Sequence, residues 1–150
     1  GAAVFYRDME VMIFDRQRVS GVVLSMGEMR IELVRKHPED EARPIWFLVE
    51  PEAGPAHSPR LEGIVYALRR LEAGEVISEA PTPEEEAAHD ITQAAPTLTL
   101  LGDAKQEVAS LVLGRVDGDQ QVVLSGGRLL KVPKDELGTL SFDLSDYRKQ

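Results

Sequence analysis

Ser58-Pro59-Arg60-Leu61-Glu62-Gly63-Ile64-Val65-Tyr66-Ala67-Leu68-Arg69-Arg70-Leu71-Glu72-Ala73-Gly74 is the stretch that decides the fold. Leu61, Ile64, Val65, Leu68 and Leu71 recur at spacings of three and four, which places them on one stripe of a helix. Ser58 reads as the N-cap and Pro59 as the first helical residue, where a missing N–H costs nothing. Gly74 stands where a left-handed C-cap would end the helix, at about Ala73. Arg69, Arg70 and Glu72 fall on the opposite, polar face. Almost everything on either side of this segment reads as strand. A lone amphipathic helix among strands has an evident task, which is to cover one face of a sheet.

Upstream, Val11-Met12-Ile13-Phe14 reads as a short strand and Asp15-Arg16-Gln17 as a turn. Val19 to Met26 is rich in β-branched residues and forms a second strand, reversed at Gly27-Glu28. Arg30-Ile31-Glu32-Leu33 alternates with period two, so Ile31 and Leu33 are expected to face the core and Arg30 and Glu32 the solvent. Ile45-Trp46-Phe47-Leu48-Val49 is a continuous apolar run, too short for a helix, and is expected to be a central strand covered on both faces. Downstream, Glu75 to Glu79 extends as a strand, and Thr82-Pro83-Glu84-Glu85 has the pattern of a capping box opening a short helix through Ala88. Thr97 to Leu100 and Glu107 to Leu113 are strands separated by a turn at Gly102-Asp103-Ala104-Lys105. Asp117-Gly118-Asp119 is another turn. Gln121 to Ser125 and Arg128 to Val132 flank Gly126-Gly127, a two-residue hairpin loop whose glycines accept positive φ. Pro133 ends the strand, and Lys134 to Leu140 reads as a short helix.

The fold class that follows is α+β: mainly antiparallel sheet, built of meanders and hairpins, with one principal amphipathic helix packed on it. The chain is long enough for one domain spanning 1–150, within which two similar β-rich sub-units, 9–79 and 91–144, are joined by an acidic, Pro-rich linker. Whether the halves share one sheet or lie side by side is left open by the sequence. Phe5-Tyr6-Arg7-Asp8 and Asp146-Tyr147-Arg148-Lys149 echo each other at the two ends.

The 150 residues carry a net charge of −9, and none is cysteine. The absence of cysteine excludes disulfides, thiolate metal sites and cysteine nucleophiles. An acidic balance disfavours a nucleic-acid binder, which needs a basic face to displace counterions. Residues 37–57 and 75–90 together hold more negative charge than the whole chain's net. Both read as solvated, Pro-interrupted loops, and neither has the ligand alternation or turn glycine of a calcium loop. No apolar run approaches the length of a membrane-spanning helix, and there is no signal peptide.

Chemistry-bearing patterns are sparse. His37, His57 and His89 lie in loops without metal spacing and read as surface residues. Ser58 beside His57 is a cap rather than a nucleophile with its base, because adjacent side chains rarely aim at each other. His89-Asp90 reads as a turn. Gly126-Gly127 lacks the Gly-Lys-Ser/Thr and the following helix of a phosphate loop. Trp46 is expected in the core, and Tyr66 to pack its ring and leave its hydroxyl wet. No catalytic, cofactor or metal residue is assigned, and the chain is expected not to be an enzyme.

The phrases Ile13-Phe14-Asp15, Val19 to Leu24, Ile31 to Arg35, Ile45 to Pro51, the Leu61 to Leu71 helix, Ala95 to Leu100, the strands to Val132-Pro133, and Ser141-Phe142-Asp143-Leu144 together resemble a bacterial domain-of-unknown-function family, DUF4340. The resemblance spans most of the chain and consists of pattern rather than catalytic signature. It departs where the family has Gly-Trp and this chain Pro44-Ile45-Trp46, and where His89-Asp90-Ile91 replaces Tyr-Gly-Leu. The resemblance implies one unit of a longer, extracytoplasmic, membrane-anchored envelope protein associated with ABC-type transporter components of the kind linked to gliding motility. It carries over no catalytic residue, because the family has none established. The functional expectation is a non-catalytic binding or scaffold module with protein partners in a membrane-associated complex, without nucleic acid, cofactor or membrane insertion by this segment. The alternative is a small-molecule or glycan-binding domain with a pocket between sheet and helix and Tyr66 at its edge.

Overall fold

The computed structural model describes residues 9–37 and 40–150. Its strands are β1 (Gly21–Met26), β2 (Met29–Lys36), β3 (Ile45–Glu50), β4 (Gly54–Pro55), β5 (Glu75–Ser78), β6 (Thr97–Leu101), β7 (Glu107–Asp117), β8 (Gln120–Ser125) and β9 (Arg128–Pro133). The helices are α1 (Ser58–Arg70) and α2 (Pro83–Ala88). All strands join one antiparallel sheet in the order β4-β3-β2-β1-β6-β7-β8-β9-β5. The α+β expectation therefore holds. The halves share this sheet through β1 and β6, where Val22 pairs with Leu100 and Leu24 with Leu98.

The strand order forces curvature. α1 leaves β4 at one edge of the sheet and delivers the chain to β5 at the other. A helix with its side chains is about 10–12 Å across and strands sit about 4.8 Å apart, so on a flat sheet α1 would cover only two or three strands. Instead, inward residues of every strand from β3 to β9 in that order pack with Leu61, Ile64, Val65 and Leu68 in one core, among them Trp46, Leu33, Leu24, Leu98, Leu111, Val123 and Leu130. The sheet wraps the helix. Val11, Met12 and Phe14 fill the same concave face. They form no strand of the sheet, contrary to the sequence pattern. Val11 N–H donates to Leu71 O, and Met9 O accepts from Ala73 N–H, so this segment bonds to the exit of α1 rather than to a ladder. From the C-terminal side Tyr147 enters the core fully buried, its hydroxyl donating to Ser141 O at 2.6 Å. Burial raises the hydroxyl's pKa above its ordinary 10.0.

A smaller core lies on the other face, where Ile91 covers Val122 and Leu129 beside Ile77, Val112 and Leu124. The cover comes from Ile91, at the point where the chain leaves the acidic segment between the halves. Thr82 and Glu85 close the expected capping box, and residues beyond α2 return to the sheet through Leu113 N–H to Pro96 O and Arg115 N–H to His89 O. Gly114 permits the approach, because a Cβ there would meet His89 O at 2.5 Å and Ile91 Cδ1 at 2.8 Å.

Several local expectations are corrected. His57, not Ser58, caps α1, its Nδ1 accepting from Arg60 N–H, while the Ser58 hydroxyl accepts from Trp46 N–H. Gly74 is not a left-handed cap; α1 ends at an extended Leu71, since Gly74 N–H must reach Lys131 O beside β9. Ile45–Glu50 is not central but lies next to the two-residue edge strand β4, and Val49 is exposed. Glu32 is buried rather than solvated. Lys134–Leu137 makes a 3-10 turn instead of the longer helix to Leu140. Phe5-Tyr6-Arg7-Asp8, and Pro38 and Glu39 of the acidic loop, lie outside the described residues.

Two glycine substitutions separate packing from propensity. Gly114→Ala is expected to destabilise by about 2–3 kcal/mol, because the methyl group has backbone rather than flexible side chain in its way. Gly63→Ala, on the exposed side of α1 with nothing within 4 Å of the added Cβ, is expected to stabilise by about 0.5–1 kcal/mol. Urea midpoints at constant slope read both.

Candidate functional site

With its apolar stripe turned into the sheet, α1 leaves Glu62, Tyr66, Arg69 and Arg70 at or near the surface, at the i, i+4, i+7 and i+8 positions of one outer face. The 3-10 turn Arg16–Arg18 lies beside this face, capped where the Asp15 carboxylate accepts from Gln17 N–H. Beneath it comes Arg35 from β2, whose side chain is only 8% exposed. Arg35 Nη1 donates to Arg16 O at 2.7 Å and Val19 O at 2.9 Å, and Nη2 donates to Glu62 Oε1 at 3.2 Å. Its Nε lies 3.1 Å from Glu62 Oε2, a charge contact rather than an aligned hydrogen bond. Trp46 Nε1 donates to the same carboxylate at 2.7 Å, and the guanidinium sits 5.9 Å from the Trp46 ring. One carboxylate thus fastens α1 to both β2 and β3 and neutralises a buried cation.

This knot forms part of the wall of a groove of about 820 Å³ between α1, the Phe14–Gln17 segment and the end of β2 with the loop that follows it, whose lining also includes His37, Pro44 and Arg69. Tyr66 lies outside it, contrary to the expectation for a pocket edge. Its ring, 48% exposed, belongs to a neighbouring depression of about 490 Å³ with Glu10, Arg16, Arg69, Arg70 and Glu72. Arg16 Cζ lies 5.0 Å from the ring centroid and Arg70 Cζ 5.3 Å. Neither guanidinium is in an ion pair among the described residues, whereas Arg69 has a long contact of 3.9 Å with Glu10. Two cations within cation–π range of one tyrosine, itself carried by a helix whose opposite side is core, form a candidate contact surface. The sequence placed Tyr66 and Arg70 on the helix but gave no sign that Arg16 would join them.

The histidines do not converge. His37 is exposed on the groove, His57 caps α1, and His89 ends α2 with Nδ1 at 2.8 Å from Glu85 O. Among the described residues no three His, Cys, Asp or Glu side chains gather as a metal site. Trp46 is fully buried, as expected. Gly126 and Gly127 turn the hairpin with φ of 58° and 75°.

A second charged cluster lies on the outer face of the sheet. Glu32 receives Lys105 Nζ at 2.9 Å and Arg30 Nη2 at 3.2 Å, and Arg30 also reaches Glu50 at 3.4 Å. The Lys105 hydrogen bond, ahead of the opposing effect of burial and the weaker contribution of Arg30, holds the Glu32 carboxyl below its ordinary 4.5. Lys105 arrives from a turn in which Ala104 and Lys105 both adopt left-handed φ, 56° and 58°. Family models, curated proteins and solved structures were compared with this chain, and none matches.

Removing the knot's carboxylate charge by Glu62→Gln should cost about 2 kcal/mol, because Arg35 is left charged, buried and without a counter-ion. A urea midpoint and a shift in Trp46 emission report it. Glu32 sets a pH dependence. With its folded pKa depressed, its contribution is complete above the unfolded value near 4.5 and is lost as pH falls through the lower folded value. Stability should therefore decline as the pH falls below about 4.5, and Lys105→Ala should make that decline shallower.

Proposed function

We propose that the chain is a non-catalytic binding or scaffold module of a bacterial envelope protein, accessory to an ABC-type transporter complex. The observation that supports binding is the Arg16–Tyr66–Arg70 stack on the outer face of α1. Tyrosine and arginine dominate the energetics of protein interfaces, because large planar groups bury much area while ordering few torsions. Tyr66 and Arg70 are carried on a helix fixed by its buried stripe, and Arg16 comes from the neighbouring 3-10 turn, so little backbone has to be ordered on binding. The envelope setting and the transporter partner rest on the resemblance to the DUF4340 phrases alone. The net charge of −9 favours a protein partner over nucleic acid. No helix among the described residues is long and apolar enough to cross a membrane.

The test is recovery of partners from native membranes in mild detergent, with identification by mass spectrometry. Transporter subunits should accompany the wild-type protein and fall by about tenfold or more with the double substitution Tyr66→Ala, Arg70→Ala. Thermal stability should change little, because both side chains are exposed. Equal recovery with the double variant, or recovery of the bait alone, contradicts the proposal.

The groove beside Arg35 favours a second reading, a small-molecule or glycan site between sheet and helix. A ligand at about a hundred times its Kd would add about 2.7 kcal/mol of stability. A thermal shift with a glycan or metabolite panel that disappears in Arg69→Ala would select this reading.

A further inference from the structure

Asp and Glu outnumber Lys and Arg by 26 to 17 in this sequence, so its cations have carboxylates in excess to pair with. Arg30 and Lys105 pair with Glu32, Arg35 with Glu62, Lys131 with Asp117 and Arg148 with Glu52. Arg16 and Arg70 do otherwise. Both are exposed, and among the described residues they meet the Tyr66 ring, at 5.0 and 5.3 Å from its centroid, rather than a carboxylate.

Those two distances put the guanidinium carbons no more than about 10 Å apart, about a Debye length at ordinary salt. Arg69 brings a third guanidinium to the same depression. Like charges so placed repel, and anionic groups brought from outside relieve the repulsion. A guanidinium in cation–π range of a ring keeps its N–H donors, whose planar fork matches a carboxylate. Between the two cations the Tyr66 ring, 48% exposed, offers apolar area. Glu10 and Glu72 line the depression as well, so a phosphate dianion meets more opposition there than single carboxylates spaced along a chain. The net charge of −9 weighs in the same way against a polyanion.

We infer that the partner engages this face of α1 through a short acidic segment of protein, with one side-chain carboxylate for each of Arg16 and Arg70 and an apolar or aromatic side chain on the Tyr66 ring. The inference rests on the reading of Arg16, Tyr66 and Arg70 as the binding surface and supplies the chemistry of what that surface binds. The ring and its contact contribute most of the affinity, and the two cations select acidic sequences over neutral ones.

Displayed peptides of about ten residues, selected on the intact chain, test the chemistry. Enriched sequences should carry two Asp or Glu residues about an aromatic or aliphatic one. Binding of a selected peptide, read by fluorescence anisotropy, should weaken about tenfold or more in Arg16→Gln, Arg70→Gln and in Tyr66→Ala, with melting temperatures little changed. No enrichment, enrichment of neutral or basic peptides, or binding indifferent to the double substitution overturns the inference. So does displacement of the peptide by inorganic phosphate at equal concentration, which marks a seat for a free oxyanion. A dimer of the free chain that the double substitution dissociates gives the surface to a second copy and overturns it too. Neutral peptides that need Tyr66 would leave the binding surface standing and remove only its acidic chemistry. Acidic peptides that bind while native membranes yield the bait alone would uphold the chemistry and remove the transporter partner.

Discussion

A single helix must carry the chain from one edge of the sheet to the other, and most of the architecture depends on this. α1 connects β4 to β5, the two ends of the strand order. Because the helix is narrow relative to a flat sheet of this width, the strands have to curl until both edges come within its reach. Curling makes one side of the sheet concave and limits what can fill it. The buried stripe from Leu61 to Leu71 occupies the middle, Val11, Met12 and Phe14 plug one flank, and Tyr147 plugs the other. Trp46, Leu98 and Val132 lie far apart in sequence yet meet in one core for the same reason.

Charge is buried where this geometry needs a fastening. Arg35 lies under the 3-10 turn and α1, and its guanidinium meets two backbone carbonyls and the Glu62 carboxylate. That degree of satisfaction is what allows a cation to be withdrawn from water. Glu62 in turn bonds Trp46, so α1 is locked in rotation, and its outer face is presented at a fixed angle. The Arg16–Tyr66–Arg70 stack is therefore a consequence of the core as much as of the surface. Glu32 performs a similar service on the outer face, tying β2 to the turn after β6 through Lys105.

Local rules read much of this correctly. The α1 stripe, the Gly126-Gly127 hairpin and the Thr82–Glu85 capping box each follow from residues within a few positions of one another, and each is present. The errors come from partners distant in sequence. Period-two alternation places Glu32 outward, which it is, but cannot foresee that Lys105 will cover it. Val11 to Phe14 has the composition of a strand but meets the helix exit before any strand edge. Gly74 resembles a C-cap, yet the pull of β9 on its N–H ends α1 earlier in an extended residue. The candidate surface was legible only in part, because Arg16 reaches Tyr66 through a tertiary contact.

If the curled sheet and α1 form one closed unit, the two halves cannot melt apart. Trp46 is the chain's only tryptophan and reports on β3 and α1 in the first half. The amide of Val123 in β8 reports on the second. Urea unfolding followed by Trp46 fluorescence and by exchange protection at Val123 should give coincident midpoints. Loss of the Trp46 signal at a urea concentration where Val123 remains protected would show that the halves are separate units, and would contradict the account.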